Sequence, residues 1–351
     1  MKARQYNVEE YKSETLKAYY DNDKNIRAAA REVGIPRSTF RNRLKKSLDL
    51  KADEKIQEQE DYKLPTFPDD DIDAEEILDH MQRRFKQRVE HDQALNWFKI
   101  NIKSNLPIGL VVVGDPHLGS NGCNIELLRS DVDIMSNTDG VYAVNIGDTV
   151  DNWAYGNLVR LYAENDVSRQ TERRLARWFL EDSGIPWICW LMGNHDMMAG
   201  EFSTYLKTIN AHSLPMIDWR AKFCLVFPNE TEVRIDAAHN HKGTSIYNPL
   251  HGQKRAALWN ENADIYVAGH HHSWAINQEE LDDGRIVTMA RARGYKYLDD
   301  YAVLHGFYNR QHGASIMFVI EPLASDPTKR IQPFANLERG AEYLTFRRTH
   351  V

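Results

Sequence analysis

The chain has 351 residues, long for one hydrophobic core and sufficient for a catalytic domain with a small appendage. Its 3 cysteines, Cys123, Cys189 and Cys224, are scattered and form no C-x-x-C pair, which excludes a cysteine metal site and points to a reducing compartment. No apolar run approaches the roughly 20 residues that span a bilayer, so a cytoplasmic protein without a membrane partner is expected. The formal charge of -7 hides a basic start, because residues 1–50 hold 12 Lys or Arg against 7 Asp or Glu. Such asymmetry suggests a basic appendage with its own partner.

The appendage reads as three short helices. Val8 to Tyr20 places Leu16, Tyr19 and Tyr20 at helical spacing until Asp21-Asn22-Asp23 breaks the run. Asn25 to Val33 is alanine-rich, and Gly34-Ile35-Pro36 forms a tight turn. Arg37 to Ser47 turns Phe40 and Leu44 inward and leaves Arg37, Ser38, Thr39, Arg41, Asn42, Arg43, Lys45 and Lys46 to solvent. The stretch from Asn25 to Phe40 resembles a helix-turn-helix of the Fis or pipsqueak type. That resemblance implies a third helix in the major groove, with arginines on phosphates or guanine edges and Ser38, Thr39 and Asn42 short enough to reach bases. DNA is the implied partner for a domain over residues 1–50, and one such unit usually binds weakly without dimerisation or help from a second domain.

Residues 51–72 are charged and proline-punctuated, a flexible linker. Asp73 is placed to cap a connecting helix over residues 73–100, read as helical to Phe98, with Ile77, Met81, Phe85 and Val89 every four residues. Its apolar stripe suits either packing on the catalytic domain, residues 101–351, or the seam of a homo-oligomer.

Beyond it, five expected strands end in metal-ligand residues. Ile108 to Val113 leads to Gly114-Asp115-Pro116-His117, and Val141 to Ile146 leads to Gly147-Asp148-Thr149-Val150-Asp151. Trp187 to Met192 leads to Gly193-Asn194-His195-Asp196, Val233 to Ala238 to His239, and Asp264 to Ala268 to Gly269-His270-His271-His272. Strand ends are where α/β proteins place their sites.

The order D-x-H, G-D-x-x-D, G-N-H-D, His, G-H-x-H over Pro107 to Met317 resembles the calcineurin-like metallophosphoesterase superfamily. The resemblance implies an α/β fold of two packed mixed sheets flanked by helices, with the small all-α helix-turn-helix domain beside it. It also implies two divalent metal ions, manganese first, with iron, zinc, nickel or magnesium as alternatives. Asp115, His117, Asp148 and His272 would hold one, and Asp148, Asn194, His239 and His270 the other; carboxylate, imidazole and amide oxygen suit hard divalent ions. His239 follows its strand directly, although His241 stays open as the ligand. His271 points away, and His251 is left as a loop residue.

By the same resemblance His195 protonates the leaving oxygen or steadies the transition state, and Asp151 orients it. Asn152-Trp153 replaces the Arg-Gly of the related protein phosphatases, which removes their phosphate-binding arginine. Arg160, Arg291, Arg293 and Lys296, among aromatic neighbours, are candidates for gripping a phosphodiester backbone. Leu175, Trp178 and Phe179 equally fit an amphipathic helix facing the core. A closing strand is expected over Ala314 to Glu321, and a short one around Tyr343 to Phe346.

The functional expectation is a dinuclear phosphodiesterase acting on DNA, similar in chemistry to the metallophosphoesterase nucleases of DNA repair. The layout looks like that of helix-turn-helix phosphoesterases carried by bacteriophages and prophages. The alternative is a phosphomonoesterase, or a nucleotide or cyclic-nucleotide phosphodiesterase, that the helix-turn-helix only localises to DNA.

Overall fold

The structure, a computed structural model, describes residues 8–48, 73–152, 166–198, 200–210, 213–259, 262–297 and 312–350. The chain divides into two compact units, Met1–Asp79 and His80–Val351.

The first unit is built on α1 (Val8–Asp21), α2 (Ile26–Glu32) and α3 (Arg37–Ser47). The Asn25 side chain caps α2 by accepting from the backbone of Arg27 and Ala28, both at 3.1 Å. Gly34 adopts φ +70°, the left-handed turn that a residue without Cβ makes at no steric cost, and Pro36 then starts α3. Ala18, Tyr19, Ile26, Ala29, Ala30, Phe40 and Leu44 form the core, with alanine allowing the helices to approach closely. Ser38, Thr39, Arg41 and Asn42 are exposed; Arg37, Arg43 and Lys45 are half-buried.

Helix α4 (Ala74–Leu95) buries no residue, and Ile77, Leu78, Met81, Phe85 and Val89 are exposed along it. It stops before Phe98. Asn96–Asn101 is instead β1, paired in parallel with β6 (Arg220–Val226), because Phe98 and Ile100 meet Phe223 and Leu225 across the ladder.

Two six-stranded sheets make the second unit. The first sheet runs β1-β6-β7-β8-β10-β9, with β7 (Glu232–Ala238), β8 (Ile265–Ala268), β9 (Ala275–Glu280) and β10 (Ile286–Arg291). The second runs β12-β11-β2-β3-β4-β5, with β2 (Ile108–Val113), β3 (Val141–Asn145), β4 (Trp187–Met192), β5 (Met216–Asp218), β11 (Ser315–Ile320) and β12 (Ile331–Phe334).

Strand periodicity explains the layers. Leu110 and Val112 face Phe223, Leu225, Ile235 and Val267 in the core between the sheets. Their neighbours Val111 and Val113 face the opposite way, onto α5 (Ile125–Asn137) and other helices through Leu128, Met135, Phe179 and Leu344. Both faces of β2 are thus covered, as its unbroken apolar run requires. The outer face of the first sheet packs Tyr266, Val287 and Met289 on the helix His251–Trp259.

The expected strand around Tyr343 to Phe346 is helical. Asn336 caps Leu337–Thr349, and Leu337, Gly340 and Leu344 bury one helical face, so packing overrides the β-propensity of the local run. Among the described residues no helix is long and apolar enough to cross a membrane.

Candidate active site

Parallel pairing brings the ligand-bearing ends together. β2, β3 and β4 lie side by side and point the same way, and β7 runs parallel to β8. Past their carboxyl ends the side chains fall into overlapping groups: Asp115, His117 and His272; Asp148, His239 and His270; and His117, Asp151 and His195. His117 Nε2 lies 3.1 Å from His272 Nε2, and His272 Nε2 lies 3.7 Å from Asp115 Oδ2. On the other side His239 Nε2 lies 2.9 Å from Asn194 Oδ1 and 3.0 Å from His270 Nδ1. Asp148 Oδ2 stands between the groups, 3.9 Å from His117 Nε2 and 3.3 Å from His239 Nε2.

Backbone geometry is what allows this crowding. His117, Asp148, His270 and His272 have φ between 44° and 68°, a left-handed region that costs a non-glycine residue about 1–3 kcal/mol. Gly193 has no room for a Cβ, which would fall 2.2 Å from Asp148 Oδ1.

The donor set fits divalent cations. Asp115 Oδ1 is buried with no hydrogen-bond partner. Two pairs of imidazole nitrogens approach to hydrogen-bond distance, an arrangement that lone pairs turned toward a shared cation explain. Burial pushes His117, His270 and His272 toward neutrality, the form that ligates metal, whereas at His239 burial is outweighed by the Asp148 and Asp115 carboxylates, which hold its imidazole up at about 10. Outer hydrogen bonds set the tautomers: His239 Nδ1 donates to the Ile146 carbonyl at 2.9 Å and His117 Nδ1 to Asp151 Oδ1 at 2.9 Å, which leaves each Nε2 facing the cluster.

His195 sits against both groups. Its backbone N–H donates to Asp148 Oδ1 at 2.8 Å, its ring packs edge-on to His117, and Nδ1 donates to the Asp151 carbonyl oxygen. Nε2 is left 4.0 Å from Asp148 Oδ2. Asp151 therefore orients His195 through its backbone, while its carboxylate serves His117 and Lys296, the latter at 2.9 Å. Burial opposes ionisation of Asp151, but the His117 hydrogen bond and the Lys296 ammonium hold its carboxyl well below the usual range.

The cations expected to grip a substrate are held by protein groups. Arg291 is buried and donates to the carbonyls of Pro249 and Gly269, at 2.8 and 3.1 Å. Arg293 is buried and donates to the carbonyls of His312 and Lys296. Lys296 is buried on Asp151. All three are buried, and their hydrogen bonds brace the loops around the cluster. Arg160, like Trp153, lies outside the described residues.

His241 turns away from the cluster, its Nε2 3.3 Å from Asp236 Oδ1, a carboxylate also bound by Arg220. His271 is exposed, and His251 begins a helix.

Three further residues support the site and were not singled out from sequence. Asp196 accepts from Gly193 N at 2.9 Å and Thr149 N at 3.0 Å, tying the β3 and β4 loops together. Its signal was present, since an acid three residues past the start of a helical turn is a capping position. Asn152 donates to the His195 carbonyl at 2.8 Å, and Glu172 accepts from Asn152 N at 3.2 Å. Glu172 is buried in a helix rich in exposed arginine, where spacing gives no sign of its role.

A family model of calcineurin-like phosphoesterases matches residues 108–311, more than half of the chain. The chain belongs to this family. Within this phosphoesterase, residues 13–50 also match a family model of the PucR C-terminal helix-turn-helix domain, which coincides with α1 to α3. No curated protein matches its sequence. Among solved structures it is similar to Vps29 of Chaetomium thermophilum, at 12% identity over 65% of this chain and 92% of the other, with a TM-score of 0.32. It is similar also to the nuclease MPE of Pseudomonas putida, at 14% identity over 64% and 87%, with a TM-score of 0.29. GAP50 of Plasmodium matches at 10% identity over 69% and 95%, with a TM-score of 0.32.

Proposed function

We propose that this phosphoesterase is a dinuclear, manganese-dependent phosphodiesterase whose substrate is DNA, brought to it by the helix-turn-helix domain. The observation that carries the reading is the position of Asp148, whose one oxygen lies within 4 Å of a histidine in each ligand group. Asp115, His117, Asp148 and His272 would hold one ion, and Asp148, Asn194, His239 and His270 the second. Divalent ions so held supply Lewis-acid polarisation of a phosphoryl oxygen and a lowered pKa for water. His195, steered by the Asp151 carbonyl and braced by Asn152, presents Nε2 to move a proton at the leaving oxygen.

The nucleic-acid part of the reading is supported by the helix-turn-helix domain on the same chain and by the exposed Ser38, Thr39, Arg41 and Asn42 of α3. Pairing of two chains through the exposed stripe of α4 would add the affinity that one such domain lacks. The setting is the cytoplasm of a bacterial or phage-infected cell. A second reading, a monoesterase or small-nucleotide phosphodiesterase only localised to DNA, is favoured by the burial of Arg291, Arg293 and Lys296, which removes them from any cationic track for a backbone.

The test is cleavage of single- and double-stranded DNA with manganese, beside bis-p-nitrophenyl phosphate and p-nitrophenyl phosphate. His195→Ala is expected to lower DNA cleavage by about 10²–10⁴-fold. Turnover of the small esters alone would sink the DNA reading and favour the second.

A further inference from the structure

One residue, Trp219, separates β5 in the second sheet from β6 in the first, so the chain changes sheets across it. Its φ is +68°. Glycine adopts that conformation freely, whereas a bulky side chain is strained there. The backbone is held on both sides: Trp219 N donates to the Met192 carbonyl at 3.1 Å, and His239 N donates to the Trp219 carbonyl at 2.7 Å. These bonds fix Trp219 to the end of β4, just before Asn194, and to His239 itself.

The side chain does not explain the residue by packing. It is 47% exposed, and its ring centroid lies 6.5 Å from that of His239, tilted by 56°. Backbone conformation would favour glycine here and exposure would favour a polar residue, yet the position carries the largest aromatic group. What an indole adds at the edge of the His239, Asn194 and His270 group is a flat π-face on a rigid mount. Planar heterocycles stack on such faces whatever their hydrogen-bonding pattern, which suits an enzyme that must accept every base.

We propose that Trp219 is a stacking platform for the nucleobase next to the scissile phosphodiester. This rests on the phosphodiesterase reading above and names how the substrate is held.

The experiment uses the full-length, manganese-loaded enzyme and p-nitrophenyl esters of thymidine 5′-phosphate and thymidine 3′-phosphate, each beside an analogue that lacks the base. In the parent enzyme the base is expected to raise kcat/KM about tenfold on one of the two esters, within the range that base–aromatic stacking contributes. Trp219→Ala and Trp219→Gly should bring base and base-free esters within about twofold of each other, and Trp219→Phe should keep most of the difference. Trp219→Gly also guards against misfolding, because glycine relieves the φ, so its melting temperature should exceed that of Trp219→Ala. The proposal is overturned if the parent shows no preference for the base, or if the alanine and glycine variants keep it. DNA cleavage run in parallel separates the two ideas: base preference lost with Trp219 but no cut DNA supports the platform and sinks DNA as substrate.

Discussion

The two compact units use charge in opposite ways. In the first, cations and polar groups of α3 surround a small apolar core and are exposed or half-buried, Arg41 and Asn42 among the former. In the second, the cations at the end of β10 and just after it are buried and matched one by one to carbonyls or a carboxylate. Arginine and lysine near a site can either face solvent or tie its loops together. Exposure decides which, since a buried cation must be paired to be tolerated.

Lys296→Met strips a buried carboxylate of its ammonium. The expected loss is about 3–5 kcal/mol, read from denaturant midpoints. Adding Asp151→Asn should recover much of it; a single-variant loss below about 1 kcal/mol would mean the pair is no brace.

A second buried charge predicts a pH slope. Asp131 is buried, which pushes its carboxyl up to about 6, against the opposing hydrogen bond from Tyr295 at 2.7 Å. The unfolded value is about 3.9, so between roughly pH 4 and pH 6 the folded chain keeps a proton that the unfolded chain has released. The Asp131 contribution to stability should fall as pH rises through that window, by about 2–3 kcal/mol, and level off above it. Asp131→Asn should remove that part of the slope in thermal melts, and an unchanged slope would refute the assignment.

The smallest stability effect belongs to the exposed set. Arg41→Ala should change folding stability by no more than about 1 kcal/mol, the most that an exposed pair contributes. Its effect should appear in DNA binding, as a salt dependence shallower by about one in log–log slope. A variant that unfolds the domain but leaves the slope intact would reverse the roles assigned to the two units.

The site was unusually legible. Each of β2, β3, β4, β7 and β8 is a strand followed within a few residues by side chains of the cluster, and glycine precedes most of them because no Cβ fits, as Gly193 shows against Asp148. Where reading failed, local and tertiary preferences disagreed. Residues 96–101 continue a helical pattern but pair with β6, and Tyr343 to Phe346 look extended but lie on a capped helix whose Leu344 is buried. Trp219 gave no signal at all, since neither its φ nor its exposure has a local signature.

Residue order alone determined the strand-end motifs, the three-helix appendage and the family resemblance, because these depend on short-range spacing and on which side chains can bind a hard cation. Tertiary structure decided the rest: that His239 and not His241 faces the cluster, that Asp151 holds His195 by its backbone, and that Arg291, Arg293 and Lys296 are buried. Those outcomes depend on which distant segments pack against each group, and a side chain's solvent exposure and partners are properties of that packing rather than of its neighbours in the chain.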